Sequence, residues 1–427
     1  MFGWHRPTLA DFCSCLILCF HEEPRRHQLD HKLLRDHATR RPTLILMQKR
    51  TIATGALILN LIVTRSATGT GRPQTGEPRL ATDKAIRRID LENLGFRPKE
   101  ARRWYHLSLD FADGNHVVLG ANTSDVHKTR WTADLDVVVF DLSTGLETSS
   151  HHWQSSRGTL VNGVGGGRLL ICTGKELGLY SWTFSPIWER ALDSPVCGLG
   201  VSPSRRSFSF RLSLADQSVL MDVLTLSPRA SWTNEAEAIQ FTDTMLAGNC
   251  GAGRELCTRS LTGPWETLEV TGMNQRMNGA PRKVRSFVND STVLITAGHE
   301  IALVALRPRV SGHGPDGLVL FYISLPERVL LGAVATSIAG SRFAVLERKM
   351  RGLSNPAADL YPFPSDDRAV VYSVKDGSAI YVRKLRGTSP WTPWDEHENA
   401  IALSPDGTLL AIADDKTLSV YALPKEQ

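Results

Sequence analysis

The chain has 427 residues, 42% of them hydrophobic and 22% charged, with 34 glycines and 22 prolines, which supports one large globular unit with many turns. Its formal charge of +5 lies wholly before residue 70: residues 1–46 carry seven Lys/Arg against five Asp/Glu, and residues 47–69 add three Lys/Arg. The remainder is neutral and offers no electrostatic footprint for nucleic acid.

Residues 1–46 show no defensible helix or strand periodicity. They hold Cys13, Cys15 and Cys19 with His21, His27 and His31, in no zinc-binding spacing. Residues 47–69 (MQKRTIATGALILNLIVTRSATG) place two cations after a methionine, then an apolar run of about 13 residues, then a small-x-small site at Ala67-Thr68-Gly69. This is the pattern of a secretory signal peptide, and the run is short of the roughly 20 residues of a membrane-spanning helix. Met47 is therefore expected to be the true start, with 1–46 an untranslated or disordered prefix and no membrane span in the mature chain. Residues 70–84, rich in Gly, Pro, Thr and Arg, read as a flexible lead-in.

From residue 85 a unit of three short apolar runs separated by turn signals recurs. Blade one is read at 107–111, 116–120 and 137–142; blade two at 160–164, 169–173 and 177–182; blade three at 196–201, 207–212 and 218–224; blade four at 238–241, 245–249 and 255–260. Blade five uses 284–288 and 293–297 with 318–323 as third strand, although 301–306 competes; blade six uses 333–338, 343–347 and 369–374. Trp153, Trp188, Trp232 and Trp265 follow the third strands of blades one to four, where a fourth, outermost strand should start. Their expected role is to fill the gap between blades at the rim, with carbohydrate stacking as the alternative.

The last unit, 400–423, is the clearest: AIALSPDG, a second strand, the acidic turn Asp414-Asp415-Lys416, and a third strand through Tyr421. It resembles a blade of the bacterial WD40-like or YVTN-like β-propeller repeat proteins. The resemblance covers about 85–423 and implies an all-β propeller. Seven units of about 45 residues match four-stranded blades. The last unit lacks its outermost strand, and 85–91 (AIRRIDL) is expected to supply it and close the ring. The chain departs from the WD40 pattern in lacking a Gly-His dipeptide in each blade. The Trp-Asp position reads Phe140-Asp141 in blade one and Met221-Asp222 in blade three.

Little of the sequence points to catalysis. Residues 162–167 (NGVGGG) lead into a strand rather than a helix and read as a turn. Asp134 and Asp136 could share a cation, and His151-His152 or His299-Glu300 could join proton or metal chemistry, but none has a metal-site spacing. The inner strands as read begin with Leu107, Leu160, Val196, Ala238, Val284, Ala333 and Ala400, an apolar set that argues against a cofactor at the axis. No cofactor is expected.

Binding is expected on long connections at one face: 121–133 in blade one, 298–317 in blade five, 348–368 in blade six and 387–399 before blade seven, which would form one raised sector. This sector carries Arg130, Trp131, Arg307, Arg309, Arg348, Arg351, Tyr361, Trp391, Trp394, Asp395, Glu396 and His397, an aromatic and Arg mixture typical of interaction hot spots. Cys250 and Cys257 flank a turn in blade four and suit a cross-strand disulfide in an oxidising compartment; two buried thiols are the alternative, because the register is not fixed by sequence. The function expected is an exported, non-catalytic, monomeric scaffold, periplasmic or secreted, that binds a protein or small ligand. The alternative is an extracytoplasmic propeller enzyme of hydrolase, lyase or dehydrogenase type with its site on the same face.

Overall fold

A computed structural model of the chain describes residues 84–94, 103–125, 133–155, 159–212, 217–233, 236–251, 255–278, 280–308, 315–326, 329–350, 364–385, 401–413 and 417–425. The first strand is β1 (Arg87–Asp90). Blade one is β2 (Arg103–Phe111), β3 (His116–Asp125), β4 (Ala133–Asp141) and β5 (Glu147–Ser155); blade two is β6 (Thr159–Gly163), β7 (Arg168–Thr173), β8 (Glu176–Ser181) and β9 (Pro186–Ala191). Blade three is β10 (Val196–Val201), β11 (Ser207–Leu212), β12 (Gln217–Asp222) and β13 (Pro228–Thr233); blade four is β14 (Glu237–Phe241), β15 (Met245–Cys250), β16 (Glu255–Ser260) and β17 (Glu266–Thr267). A short strand β18 (Val270–Thr271) and a helical turn α1 (Gln275–Asn278) lead into blade five: β19 (Arg282–Asn289), β20 (Thr292–Ala297), β21 (Glu300–Pro308) and β22 (Pro315–Ser324). Blade six is β23 (Val329–Thr336), β24 (Arg342–Met350), β25 (Pro364–Ser373) and β26 (Ala379–Lys384), and blade seven is β27 (Ile401–Leu403), β28 (Leu409–Ala413) and β29 (Thr417–Ala422).

Each blade is an antiparallel meander, and blade seven takes β1 as its outermost strand in the order β1-β29-β28-β27. The result is an all-β, seven-bladed propeller. Its buried side chains fall into seven clusters, each shared by two neighbouring blades. Ala112, Val118 and Leu135 pack on Val161, Leu169 and Ile171 between blades one and two. Ile89, Leu418 and Val420 of blade seven pack on Leu119 and Phe140 of blade one, so the last interface is built like the others. Arg87 strengthens it by donating from Nε to the carbonyl of Leu142 (2.6 Å) in blade one.

The meander fixes two faces. Turns between the first and second strands and between the third and fourth lie on one, here the turn face; connections between second and third strands and links between blades lie on the other, the loop face. Asp141 and Asp222, at the Trp-Asp position, cap third-to-fourth-strand turns by accepting the N–H of Ser143 (2.6 Å) and of Leu224 and Thr225 (2.9 Å each). In blade seven, Gly407 takes the left-handed φ of 72° that closes the Ser404–Gly407 turn.

Blade five departs from the sequence reading. Its third strand is β21, which contains 301–306, and 318–323 lies in the fourth strand, β22. The physical reason is that β22 is not an edge: β18 pairs with it in parallel, Val270 opposite Gly317 and Thr271 opposite Leu318. Val319 and Tyr322 are buried in the cluster that Val270 packs against, and Phe321 and Ile323 in the cluster shared with blade six, whereas the outer strand β9 of blade two is largely exposed. Covering turned an outer strand into one with inner-strand composition.

The pairing of β1 with β29 makes a direct prediction. A chain starting at Thr82 melts in one cooperative transition, and one starting at Leu94, without β1, aggregates or melts far lower. Equal melting temperatures for the two would remove the closing role of β1.

Candidate functional site

Towards the loop face, the second strands of blades one and six are longer than those of the other blades. β3 has 10 residues and β24 has 9, against 6 in β7 and 5 in β28. All of these strands begin just after a turn on the opposite face, so the surplus projects from the loop face, by about 13 Å for four extra residues. Pairing continues to Ser124–Ala133 in blade one and to Met350–Pro364 in blade six. The interfaces of blade seven with blades six and one place these two hairpins on either side of blade seven.

The expected sector is therefore narrower. In blade five, β20 turns directly into β21, and Arg307 lies near the far end of β21, exposed on the turn face and opposite Asp316. It does not join the other residues. Arg348 is on β24 near the loop face, opposite Asp367. Arg130, Trp131, Arg309, Arg351, Tyr361, Trp391, Trp394, Asp395, Glu396 and His397 lie outside the described residues.

Both hairpins are braced at their bases by polar pairs. In blade six, Glu347 is 1% exposed and directly opposite Arg368; it accepts from Arg368 Nε (2.6 Å) and from the Tyr372 hydroxyl (2.8 Å). Burial, then the charge of Glu347, pushes the Tyr372 phenol far above its ordinary range. In blade one, Asp136 faces His152 across β4 and β5 at 2.8 Å, so Asp136 pairs with a histidine here. His299 is exposed, while neighbouring Glu300 is buried and accepts the Ser324 hydroxyl. Among the described residues no group of three or more His, Cys, Asp or Glu is placed to hold a metal ion.

The turn face is tied together across blades. Arg205 of blade three binds both carboxylate oxygens of Asp110 in blade one, Nη2 to Oδ1 at 2.9 Å and Nη1 to Oδ2, and also the carbonyl of Gly163 in blade two. Gly163 N–H donates to Asp110 Oδ2 (2.9 Å), and a Cβ at Gly163 would overlap the carbonyl oxygen of Phe111. Together with Phe111, Gly165, Ile338 and Pro405, Arg205 lines the axial mouth on this face. Sequence reasoning missed this clamp, although a signal was present: in Ser202-Pro203-Ser204-Arg205 the arginine occupies the place of Gly407 in Ser404-Pro405-Asp406-Gly407. Its φ of 60° is one that side chains other than glycine rarely adopt.

The axis also corrects the apolar starts of the inner strands. Five of the seven strands begin earlier than read, at Arg103, Thr159, Glu237, Arg282 and Val329, while the other two begin at Val196, as read, and at Ile401. Three of these are charged, so the argument against an axial ligand from apolar starts does not hold.

The tryptophans lie within or just before the outer strands rather than at a fixed first position. Trp153, seventh in β5, sits 5.7 Å from Tyr180 and 5.6 Å from Phe184 of blade two; Trp188 sits 6.5 Å from Phe208 of blade three. Trp232 is buried with Phe241 and Leu246 of blade four, and Trp265 lies under Arg259 at 5.6 Å. The first three fill seams between blades. Cys250 and Cys257 are disulfide-linked with Cα atoms 5.9 Å apart, although the residues directly opposite them are Glu255 and Gly248, which makes the bridge a diagonal one.

Solved structures to which the chain is similar include the β-propeller domain of Cps50 (Swd1) from Myceliophteria thermophila, with 15% identity, a TM-score of 0.46, and coverage of 75% of this chain and 96% of that one. Hsv2 from Kluyveromyces lactis gives 11%, 0.43, 76% and 98%, and BamB from Moraxella catarrhalis 14%, 0.37, 74% and 84%. No family model matches the sequence, and no curated protein matches it. The fold rests on the strand pairing described above.

Two measurements follow from the geometry. Asp110→Ala leaves Arg205 facing the Gly163 carbonyl without its carboxylate, and should lower unfolding free energy by about 3 kcal/mol in urea; a loss below about 1 kcal/mol would show that the clamp adds little. The raised Tyr372 pKa means that its stabilising effect is complete below the ordinary tyrosine pKa and is lost as pH rises above it. Stability should thus decline above about pH 10, where the unfolded chain ionises and the fold does not. Tyr372→Phe should flatten part of that decline, leaving the parts due to Tyr180 and Tyr322, whose phenols burial also raises. An unchanged slope would contradict the assignment.

Proposed function

We propose that the protein is an exported, monomeric binding scaffold of the bacterial YVTN-like or WD40-like kind, working without catalysis. Its partner, a protein or small ligand, engages the loop face over blade seven. The observation that carries this reading is the pair of projecting hairpins, β3–β4 and β24–β25, on either side of the blade whose first and second strands are the shortest of their kind. The connections that leave these hairpins, and the link into blade seven, carry Arg130, Trp131, Arg351, Tyr361, Trp391, Trp394, Asp395 and His397, with Arg348 near the end of β24. Aromatic and guanidinium groups on braced supports supply large contact area at low ordering cost, which is how interaction hot spots are built. Export is supported by the signal-like residues 47–69 and by the position of Cys250 and Cys257.

The binding site is tested by replacing Trp391 and Trp394 with Ala. The double variant should fail to capture the partner that the parent captures from an envelope extract, with a nearly unchanged melting temperature. Unfolding of the variant, or capture of the same proteins, would place the site elsewhere. Export is tested by counting thiols on the denatured protein from its native source. Cys250 and Cys257 should be unreactive until reduced, and free thiols at both would contradict an oxidising compartment.

A further inference from the structure

On the turn face, most first-to-second-strand turns use a side-chain oxygen of their own to accept N–H groups of the turn. Asp113 Oδ1 takes those of Asn115 and His116 in blade one (2.7 and 2.8 Å), Thr242 Oγ1 those of Thr244 and Met245 in blade four (3.3 and 3.1 Å), and Asp406 Oδ1 that of Thr408 in blade seven (3.0 Å). Ser202 and Ser204 act in this way in blade three, and Asn289 in blade five. Blade six closes on backbone alone, Gly340 N–H to the Ser337 carbonyl (3.0 Å). Turns of neighbouring blades are also bonded to each other: Gly167 N–H reaches the Ala112 carbonyl (3.1 Å), and Ala339 N–H the Pro405 carbonyl (3.0 Å).

The turn of blade two, between β6 and β7, has no side-chain oxygen to offer. It is Gly165-Gly166-Gly167, all left-handed, with φ of 79°, 62° and 70°. Packing does not require the first two glycines: a Cβ on Gly165 would make ordinary contact with Arg205 and Ile338, and one on Gly166 would meet only Arg168, 3.8 Å from Nε and 3.9 Å from Nη2. The backbone conformation is what selects glycine there. Three successive residues of one left-handed sense turn their N–H groups to one side of the chain, and N–H groups gathered in a turn form anion sites. Gly167 N–H is used on Ala112, but among the described residues nothing accepts from Gly165 or Gly166 N–H, and nothing hydrogen-bonds or ion-pairs with the half-buried Arg168. Asp113, whose Oδ2 would lie 3.5 Å from a Cβ on Gly167, is itself engaged by His116 Nδ1 (2.9 Å).

We propose that the β6–β7 turn binds a tetrahedral oxyanion of the phosphate class, held between the Arg168 guanidinium and the N–H groups of Gly165 and Gly166. The ligand supplies the acceptor oxygen that side chains supply in the other turns. The chemistry selects the class: a carboxylate has two oxygens, which one guanidinium fork can occupy by itself, whereas a tetrahedral anion has further oxygens for the backbone N–H groups. Gly165 also lines the axial mouth, so the site lies beside the axis on the turn face, apart from the loop face. The glycine run leads into a strand, and the site needs no helix behind it.

The test is isothermal titration of the full chain with inorganic phosphate at neutral pH, with chloride holding the ionic strength constant. The parent should saturate with one phosphate per chain. Arg168→Gln should weaken binding by about tenfold or more. Gly166→Asp, a residue that tolerates left-handed φ, sets a carboxylate within reach of Arg168 and should abolish binding. Sulfate should compete with phosphate, and acetate should compete far less. A parent that shows no saturable binding would overturn the proposal without any variant. Binding of parental strength in both variants would overturn it by placing the anion elsewhere, and acetate competing as well as sulfate would overturn the assignment to a tetrahedral anion.

Discussion

The fold depends on the pairing of β1 with β29. Blade seven supplies three strands from the end of the chain, and Arg87–Asp90 supplies the fourth from the beginning, with Ile89 opposite Leu418 in the seam against blade one. No blade has a core of its own: each apolar cluster belongs to two neighbours, so every blade is needed to bury the faces of the next. Opening the ring at one seam leaves apolar faces and a sheet edge exposed together. Closure also makes blades six, seven and one consecutive, the arrangement on which the proposed binding face rests.

The two faces then divide the work. On the turn face the chain spends its polar groups on itself, through the Asp110–Arg205 clamp and the turn-to-turn bonds, and the glycine at position 163 exists so that blade one can approach that closely. Arg205 holds a backbone conformation suited to glycine, and its bidentate ion pair offsets that strain. The loop face instead varies in strand length from blade to blade, which a propeller tolerates because the meander is already complete below it. The buried Glu347 with Arg368 and Tyr372 shows how a projecting hairpin is anchored to that rigid base.

Most of the architecture was legible because local turn chemistry and apolar runs agree. Residues 196–201, 207–212 and 255–260 are strands with the bounds that their composition indicates. Legibility failed where tertiary context changes what a strand needs. β22 reads as an inner strand because β18 covers it, and that exchange moved Arg307 to the other face. The hairpin extensions at 122–125 and 348–350 read as loops, since Asn122-Thr123-Ser124-Asp125 and Arg348-Lys349-Met350 alternate in no apolar pattern beyond the reach of neighbouring blades. The Asp110–Arg205 contact spans 95 residues, and only the arginine in a glycine position hinted at it.

The central claim is the closed ring, and a cross-link tests it most directly. Arg88 and Ser419 are paired across β1 and β29, and directly opposed residues of an antiparallel pair lie within disulfide reach. In a chain carrying Arg88→Cys and Ser419→Cys, peptide mapping after mild oxidation should find the two new cysteines linked to each other within one chain and in nearly all molecules. Two thiols that stay free under those conditions, or that link only between chains, would contradict closure by the N-terminal strand.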